Sequence, residues 1–281
     1  MTAKLIDGTK IATEILLGIK NKVKDMKVKP GLAVVLVGKN PASQIYVGKK
    51  EQMCKDVGFY SEKHELDENI DDIKLLGLVD ELNQSTKIHG MLVQLPLPKH
   101  IDERLIIDAI VPHKDADGFN PINMGNMLIG NNMILPATPK GMMKLIESTG
   151  VKLEGKHAVV VGRSNIVGKP IAVLLQQKNV TVTMCHSRTK SLEKHTKKAD
   201  ILVVATGKAK MITADMVKEG ALVIDVGMNR DEKGKLCGDV DFEGVKMVAS
   251  YITPVPGGVG PMTIACLLEN TLECMELNSR L

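Results

Sequence analysis

The sequence predicts an α/β protein of two domains, the second built on a doubly wound parallel sheet. Short β-branched apolar runs recur, and each reads as a buried parallel strand: LAVVLV at 32–37, MLVQL at 91–95, AVVV at 158–161, VTVTM at 180–184, ILVVA at 201–205 and ALVIDV at 221–226. Stretches of helical periodicity separate them, as at 43–58 and 167–179. Strand and helix in alternation imply βαβ units. The last four runs follow one another at about twenty residues, the spacing of a Rossmann-like nucleotide-binding sheet.

Taken in order, residues 1–120 form a first domain. The segment 118–141, rich in Gly, Asn and Pro, reads as the crossing between domains. Residues 139–255 make the second domain. The run PMTIACLLENTLECMEL at 261–277 reads as a last amphipathic helix, and residues 262–281 return to the first domain.

Composition narrows the class of function. With 44% hydrophobic and 25% charged residues the chain has globular rather than disordered composition. A net charge of +4, with both signs interspersed, gives no basic stripe for a phosphate backbone. Three Phe, three Tyr and no Trp leave few platforms for stacking bases, so nucleic acid is not the expected partner. Five scattered cysteines without a C-x-x-C pair read as reduced thiols. The N-terminus breaks its apolar residues with charges at helical spacing, unlike a signal peptide. No apolar run approaches the roughly 18 residues that cross a bilayer. The expected location is the cytoplasm, with no membrane contact.

The first candidate site is a turn. Gly162, Arg163, Ser164, Asn165, Ile166, Val167 and Gly168 follow the strand at 158–161, and a helical pattern opens with Pro170 in its first turn. Strand, Gly-containing turn and helix N-terminus make an anion site, because free N–H groups and the helix dipole favour negative charge. Ser164 stands where G-x-G-x-x-G has its second Gly, so a plain tight turn is an open alternative. The next strand ends in CHSRT at 185–189, where an NAD enzyme carries an acid for the ribose 2′-OH. Arg163, Ser187 and Arg188 are suited instead to a 2′-phosphate, which favours NADP. On spacing alone the two arginines also read as solvated surface charges.

The first half carries a second set. Tyr46 and Lys50 are four apart and share a helix face. A lysine that is desolvated, or crowded by a cation such as Lys49, loses basicity and becomes a base near neutral pH. A solvated Lys-Lys-Glu face is the plain alternative. Gln94 interrupts a strand end at the sheet edge where α/β ligands bind. Asp115 and Asp117 sit in a turn before Gly118, and turn propensity alone accounts for such residues. The loop PVPGGVGPMT at 254–263 is stiffened by three prolines and exposes backbone donors that suit a flat ligand. No H-E-x-x-H, Cys/His cluster, G-x-S-x-G or Walker A lysine loop is present, so no metal site is expected.

SQIYVGKK at 43–50, MLVQLPLP at 91–98, KDADGF at 114–119, PATPKG at 136–141, VVVGRSNIVGKP at 159–170 and PVPGGVGPMT at 254–263 together resemble the methylenetetrahydrofolate dehydrogenase/cyclohydrolase family. The resemblance runs over nearly the whole chain, and its length suits the bifunctional form without a formyl-tetrahydrofolate synthetase domain. It implies two domains with a cleft between them, a tetrahydrofolate derivative and NADP meeting there, and a homodimer. It makes Lys50 the catalytic lysine, Tyr46 the ring that stacks on folate, Gln94 the partner that tunes Lys50, and Asp117 the group that holds the pterin. Ser43, Pro256, Gly257 and Gly260 support or contact the substrate. Thr138, Gly162, Arg163, Ser164, Ile166, Ser187 and Met228 surround NADP. Ala116, Met228 and Ala209 depart from the residues more common in the family, and none removes a chemical group.

Two other readings stay open on sequence. A dehydrogenase of another small substrate fits the second half, but leaves Tyr46, Lys50, Gln94 and Asp117 unexplained. A non-catalytic nucleotide-binding protein fits the fold alone.

Overall fold

The computed structural model describes residues 2–280. Along the chain run β1 (Lys4–Leu5), α1 (Gly8–Lys24), β2 (Gly31–Val37), α2 (Pro41–Val57), β3 (Tyr60–Leu66), α3 (Asp72–Gln84), β4 (Gly90–Val93), α4 (Glu103–Ala109), α5 (Pro121–Leu128), α6 (Ala137–Ser148), β5 (His157–Val161), α7 (Gly168–Gln177), β6 (Thr181–Cys185), α8 (Leu192–Thr196), β7 (Ile201–Val204), β8 (Leu222–Asp225), β9 (Asn229–Arg230), β10 (Leu236–Cys237), α9 (Phe242–Lys246), β11 (Tyr251–Ile252) and α10 (Val259–Asn278). They form two compact units, one of residues 1–13 with 138–263 and one of residues 14–137 with 264–281.

In the unit of residues 14–137 and 264–281, three parallel strands lie in the order β3-β2-β4. The central strand is GLAVVLV, buried along its whole length, as a strand covered on both faces must be. Val35, Val37, Met91 and Val93 on one face pack with Leu75, Val79 and Leu82 of α3 and Ile106 of α4. Each such buried aliphatic side chain contributes about 1.5–3 kcal/mol. α3 begins where the Asp71 carboxylate accepts the N–H of Lys74 at 2.8 Å, a side-chain cap for an otherwise unpaired donor.

The strand β3 has no apolar run, which is why the sequence does not announce it. Its sequence YSEKHEL pairs with β2 on one side only and carries charge on the open edge. There Lys63 pairs with Glu65 at 2.9 Å, and Tyr60 and His64 both bond Glu62. Charged edges of this kind block pairing with another chain.

The other unit holds a six-stranded sheet in the order β1-β11-β8-β7-β5-β6, parallel at every pairing. From β5 the chain moves outward to β6 and then back across to β7, so strand order reverses between β5 and β7. Ligands of such sheets bind at that reversal, beyond the carboxyl ends of the strands. The sequence-based division puts residues 1–13 in the first domain. In the structure they belong to this second unit, because Lys4 and Leu5 pair with Tyr251 and Ile252 as its edge strand.

Two further expectations change. The segment 118–141 is more than a crossing: Asn120 caps α5 by accepting the N–H of Ile122 at 2.8 Å. The last helix is not amphipathic, since Met262, Ala265, Cys266, Leu267, Leu268, Asn270, Thr271, Leu272 and Cys274 are all buried around its circumference. Among the described residues no helix is long and apolar enough to cross a membrane.

Candidate active site

Lys50 stands in the third turn of α2 and is only 3% exposed. The solvated-face alternative therefore fails. Its Nζ donates to Gln94 Oε1 at 3.0 Å and lies 5.6 Å from the centre of the Tyr46 ring, one helical turn away. Burial lowers the Lys50 pKa from its ordinary value, and the negative charge of Asp117 opposes the drop in part. Lys49 is exposed and has no part in this. Desolvation, not crowding by a second cation, weakens the base. Burial also pushes the Cys54 thiol up to about 12, so it stays protonated.

Gln94 immediately follows β4. Its N–H continues the ladder to Val35 O at 2.8 Å, and its Nε2 donates to Leu95 O at 2.8 Å. With the amide nitrogen engaged there, the oxygen faces Lys50. The bonds Leu95–Pro96 and Val255–Pro256 are cis.

The turn of Asp115 and Asp117 is tied to the same strand, for Ala116 N–H donates to Met91 O at 3.1 Å. Its two acids have different roles. Asp115 is buried and accepts from Gly118 N–H at 3.0 Å, Asn120 N–H at 2.7 Å and Asn123 Nδ2 at 3.0 Å, which makes it the peg of the turn. Asp117 is half-buried and within electrostatic reach of Lys50. Burial raises its pKa, and the Lys50 charge opposes that rise. Gly118 adopts φ +76°, and a Cβ there would lie 2.6 Å from the Leu135 carbonyl carbon.

Sequence reasoning missed Asn270. From α10 its Nδ2 donates to both Ala116 O and Leu135 O at 2.8 Å, holding the acidic turn from behind. A polar trio, Glu269, Asn270 and Thr271, inside an apolar helical run was the available signal. Ser43 is buried near the start of α2, its N–H donating to Asn40 Oδ1 at 3.2 Å. At the carboxyl ends of β2, β3 and β4 a recess of about 390 Å³ opens, lined by residues including Lys39, Asn40, Glu68, Pro96 and His100.

In the other unit Gly162, Arg163, Ser164 and Ile166 follow β5, Ser187 follows β6 and Met228 follows β8, at the carboxyl end of the sheet, while Thr138 stands in α6. Gly162 N–H donates to Cys185 O at 2.9 Å, so the turns after β5 and β6 start side by side and bring Arg163 and Ser187 to adjoining strand ends, both exposed. Gly162 adopts φ +139°, and a Cβ there would lie 2.3 Å from Ala205 O. A Cβ on Gly168 would lie 2.3 Å from Gly162 O. Only glycine permits this close turn, and the cradle fits a dinucleotide.

One expectation about the turn is corrected. The first donors of α7 are not free: Ser164 Oγ accepts from Val167 N–H at 3.2 Å and Gly168 N–H at 3.3 Å, and Ser164 O accepts from Lys169 N–H at 3.0 Å. Ile166 is half-buried in this turn, and Met228 follows β8 at 58% exposure. Thr138 Oγ1 and Thr263 Oγ1 are 3.0 Å apart. Pro256, Gly257 and Gly260 belong to this unit. Gly257, at φ +106°, accepts Thr9 N–H on its carbonyl at 3.0 Å. Among the described residues no group of three or more His, Cys, Asp or Glu is placed to hold a metal ion.

Comparison with known proteins agrees over the whole length. Residues 6–117 match the catalytic domain of tetrahydrofolate dehydrogenase/cyclohydrolase, and residues 136–279 match its NAD(P)-binding domain. The bifunctional protein FolD of Moorella thermoacetica is 56% identical over 276 residues, covering 97% of this chain and 99% of that protein. The crystal structure of the bifunctional enzyme FolD from Campylobacter jejuni superposes with a TM-score of 0.96 at 49% identity, over 99% of this chain and all of that one. The FolD of Trypanosoma brucei, complexed with NADP cofactor and inhibitor, gives a TM-score of 0.96 at 38% identity, with both chains fully covered. With a buried lysine and a glycine cradle where its motifs place them, the chain belongs to the tetrahydrofolate dehydrogenase/cyclohydrolase family.

Proposed function

We propose that Lys50, Tyr46, Gln94 and Asp117 carry the chemistry of this bifunctional enzyme, which oxidises 5,10-methylenetetrahydrofolate to 5,10-methenyltetrahydrofolate with NADP and hydrolyses that product to 10-formyltetrahydrofolate. The observation that supports the assignment most is the desolvated Lys50 amine held at 3.0 Å by Gln94 Oε1.

NADP, when bound, accepts hydride from the one-carbon bridge of the substrate. Gly162 lets the turn after β5 close against Ala205, which shapes the cradle offered to the dinucleotide. Because Ser164 already takes the first donors of α7, phosphate recognition falls to the Arg163 guanidinium and the Ser187 hydroxyl. Ile166, Thr138 and Met228 complete the surround. Tyr46 offers a ring face to the folate, Asp117 a carboxylate to the pterin, and Ser43, Pro256, Gly257 and Gly260 shape the substrate site.

Hydride loss leaves a methenyl cation, to which water adds. Lys50, neutral for part of the cycle because burial disfavours its charge, takes the proton of that water, and the ring opens. Gln94 fixes the amine and, with an uncharged acceptor, leaves its basicity low.

The experiment mixes the enzyme with 5,10-methylenetetrahydrofolate and NADP and follows reduced nicotinamide and methenyl product together. Reduction with little methenyl build-up is expected; methenyl accumulating in step with reduction contradicts the role of Lys50. Two readings rest on the family resemblance and, for the second, on the free cysteines: assembly as a homodimer, checked by light scattering, and residence in the cytoplasm, checked by cell fractionation.

A further inference from the structure

Beyond the carboxyl end of the six-stranded sheet, two carboxylates are buried against each other. Asp225 ends β8 at 3% exposure, and Asp239, two residues past β10, is fully buried. A buried carboxylate is costly unless its oxygens are bonded, and all four are. Asp225 Oδ1 accepts the N–H groups of Gly227 and Asp239 at 2.9 Å, and Oδ2 that of Val240 at 3.0 Å. Asp239 Oδ2 accepts the N–H groups of Thr206 and of Gly207, the latter at 3.0 Å, and Oδ1 accepts Asn229 Nδ2 at 2.8 Å. Two glycines make the space. A Cβ on Gly238 would lie 1.7 Å from Asp225 Oδ2, and one on Gly227 would lie 2.4 Å from Asp239 Oδ1.

The pair is held at electrostatic expense. Burial pushes Asp225 up to about 6 against the pull of its N–H donors, and the charge of Asp239 adds to the rise. These bonds fasten loops. Asp225 clamps the segment that carries Asp239, and Asp239 clamps the loop that follows β7. Thr206 directly follows Ala205, whose N–H donates to Val161 O at 2.8 Å and whose carbonyl meets Gly162 so closely that no Cβ fits. The clasp therefore ends against the first residue of the dinucleotide turn, at the reversal between β5 and β7.

We propose that Asp239 is a positioning residue for NADP: its carboxylate sets the Thr206–Gly207 backbone against the turn at Gly162, and Asp225 holds it there. The proposal rests on the reading that Gly162, Arg163 and Ser187 hold the cofactor.

The test is Asp239→Asn in the full enzyme. The amide keeps one oxygen for Thr206 and Gly207 but turns an N–H donor on Asn229 Nδ2. Asn229→Asp, added to it, restores a donor–acceptor pair without changing net charge. Cyclohydrolase activity on 5,10-methenyltetrahydrofolate uses no hydride acceptor and reports whether the chain is folded. The expected result for Asp239→Asn is a KM for NADP raised about tenfold, with dehydrogenase kcat at saturating NADP changed less than about threefold and cyclohydrolase retained. The double variant returns the KM to within about threefold of the starting enzyme. An unchanged KM in Asp239→Asn overturns the proposal. If that variant loses cyclohydrolase too, the double variant decides: recovery of both activities with the original KM supports the clasp, and anything less overturns it. Arg163→Ala tests the underlying cofactor reading separately, because an unchanged NADP/NAD preference there refutes that reading whatever Asp239→Asn does.

Discussion

Lys50 Nζ donates to Gln94 Oε1 at 3.0 Å, joining a helix to a strand end 44 residues away. An uncharged acceptor at this distance satisfies the buried amine without raising its pKa as a carboxylate would. Gln94→Glu supplies that carboxylate. The pKa of Lys50 is then expected to rise, as it does for a cation beside an opposite charge. The cyclohydrolase pH–rate profile shifts to higher pH by the same amount, and an unshifted profile separates Lys50 from the titration that limits the reaction.

Burial of Lys50 also leaves a mark on stability. The folded state holds this proton less tightly than the unfolded chain, whose lysine has the ordinary value of 10.5. Between the lowered pKa and 10.5 the unfolded state binds more protons, so this group adds stability as pH rises through that window. Below the window the charged amine is buried at a cost. Lys50→Met removes the cost, so thermal melts are expected to show a variant at least as stable as the parent at neutral pH, its advantage narrowing toward pH 10. A variant destabilised equally at every pH contradicts this account.

Two glycine substitutions are expected to act in opposite directions. Gly18, in α1, has open space where a Cβ would stand, so Gly18→Ala stabilises by about 0.5–1 kcal/mol through helix propensity. Gly238→Ala drives a methyl to 1.7 Å from Asp225 Oδ2 and costs about 2–4 kcal/mol or prevents folding. Urea unfolding of the two variants measures both, and a neutral Gly238→Ala means that the carboxylate pair yields readily.

Arg163 and Ser187 stand at adjoining strand ends without an acidic neighbour in the CHSRT turn. Arg163→Ala is expected to lower kcat/KM for NADP about tenfold or more while leaving that for NAD nearly unchanged. Steady-state assays with both cofactors check it.

What the sequence made legible was what periodicity and glycine chemistry control. The apolar runs led to β2, β4, β5, β6, β7 and β8, and the turn at Gly162 to a cradle that no Cβ fits. β3 escaped because an edge strand needs no apolar run, and β1 because a two-residue strand has no period to read. At the site, residue type and spacing singled out Tyr46, Lys50, Gln94 and the two acids. They did not show that Lys50 is buried and Lys49 exposed, nor that Asp115 pegs the turn, since burial is a property of the packed chain; it was the family resemblance that assigned roles to Lys50 and Asp117. Asn270 and the pair Asp225–Asp239 were hidden for the same reason: most of their partners are backbone groups elsewhere in the sequence.

The central claim, that Lys50 is the base of the cyclohydrolase step, is tested most directly by assaying Lys50→Met on both reactions. The account predicts that hydrolysis of 5,10-methenyltetrahydrofolate falls by about 10²–10⁴-fold while NADP reduction from 5,10-methylenetetrahydrofolate remains measurable and methenyl product accumulates. Full cyclohydrolase activity in that variant would contradict it.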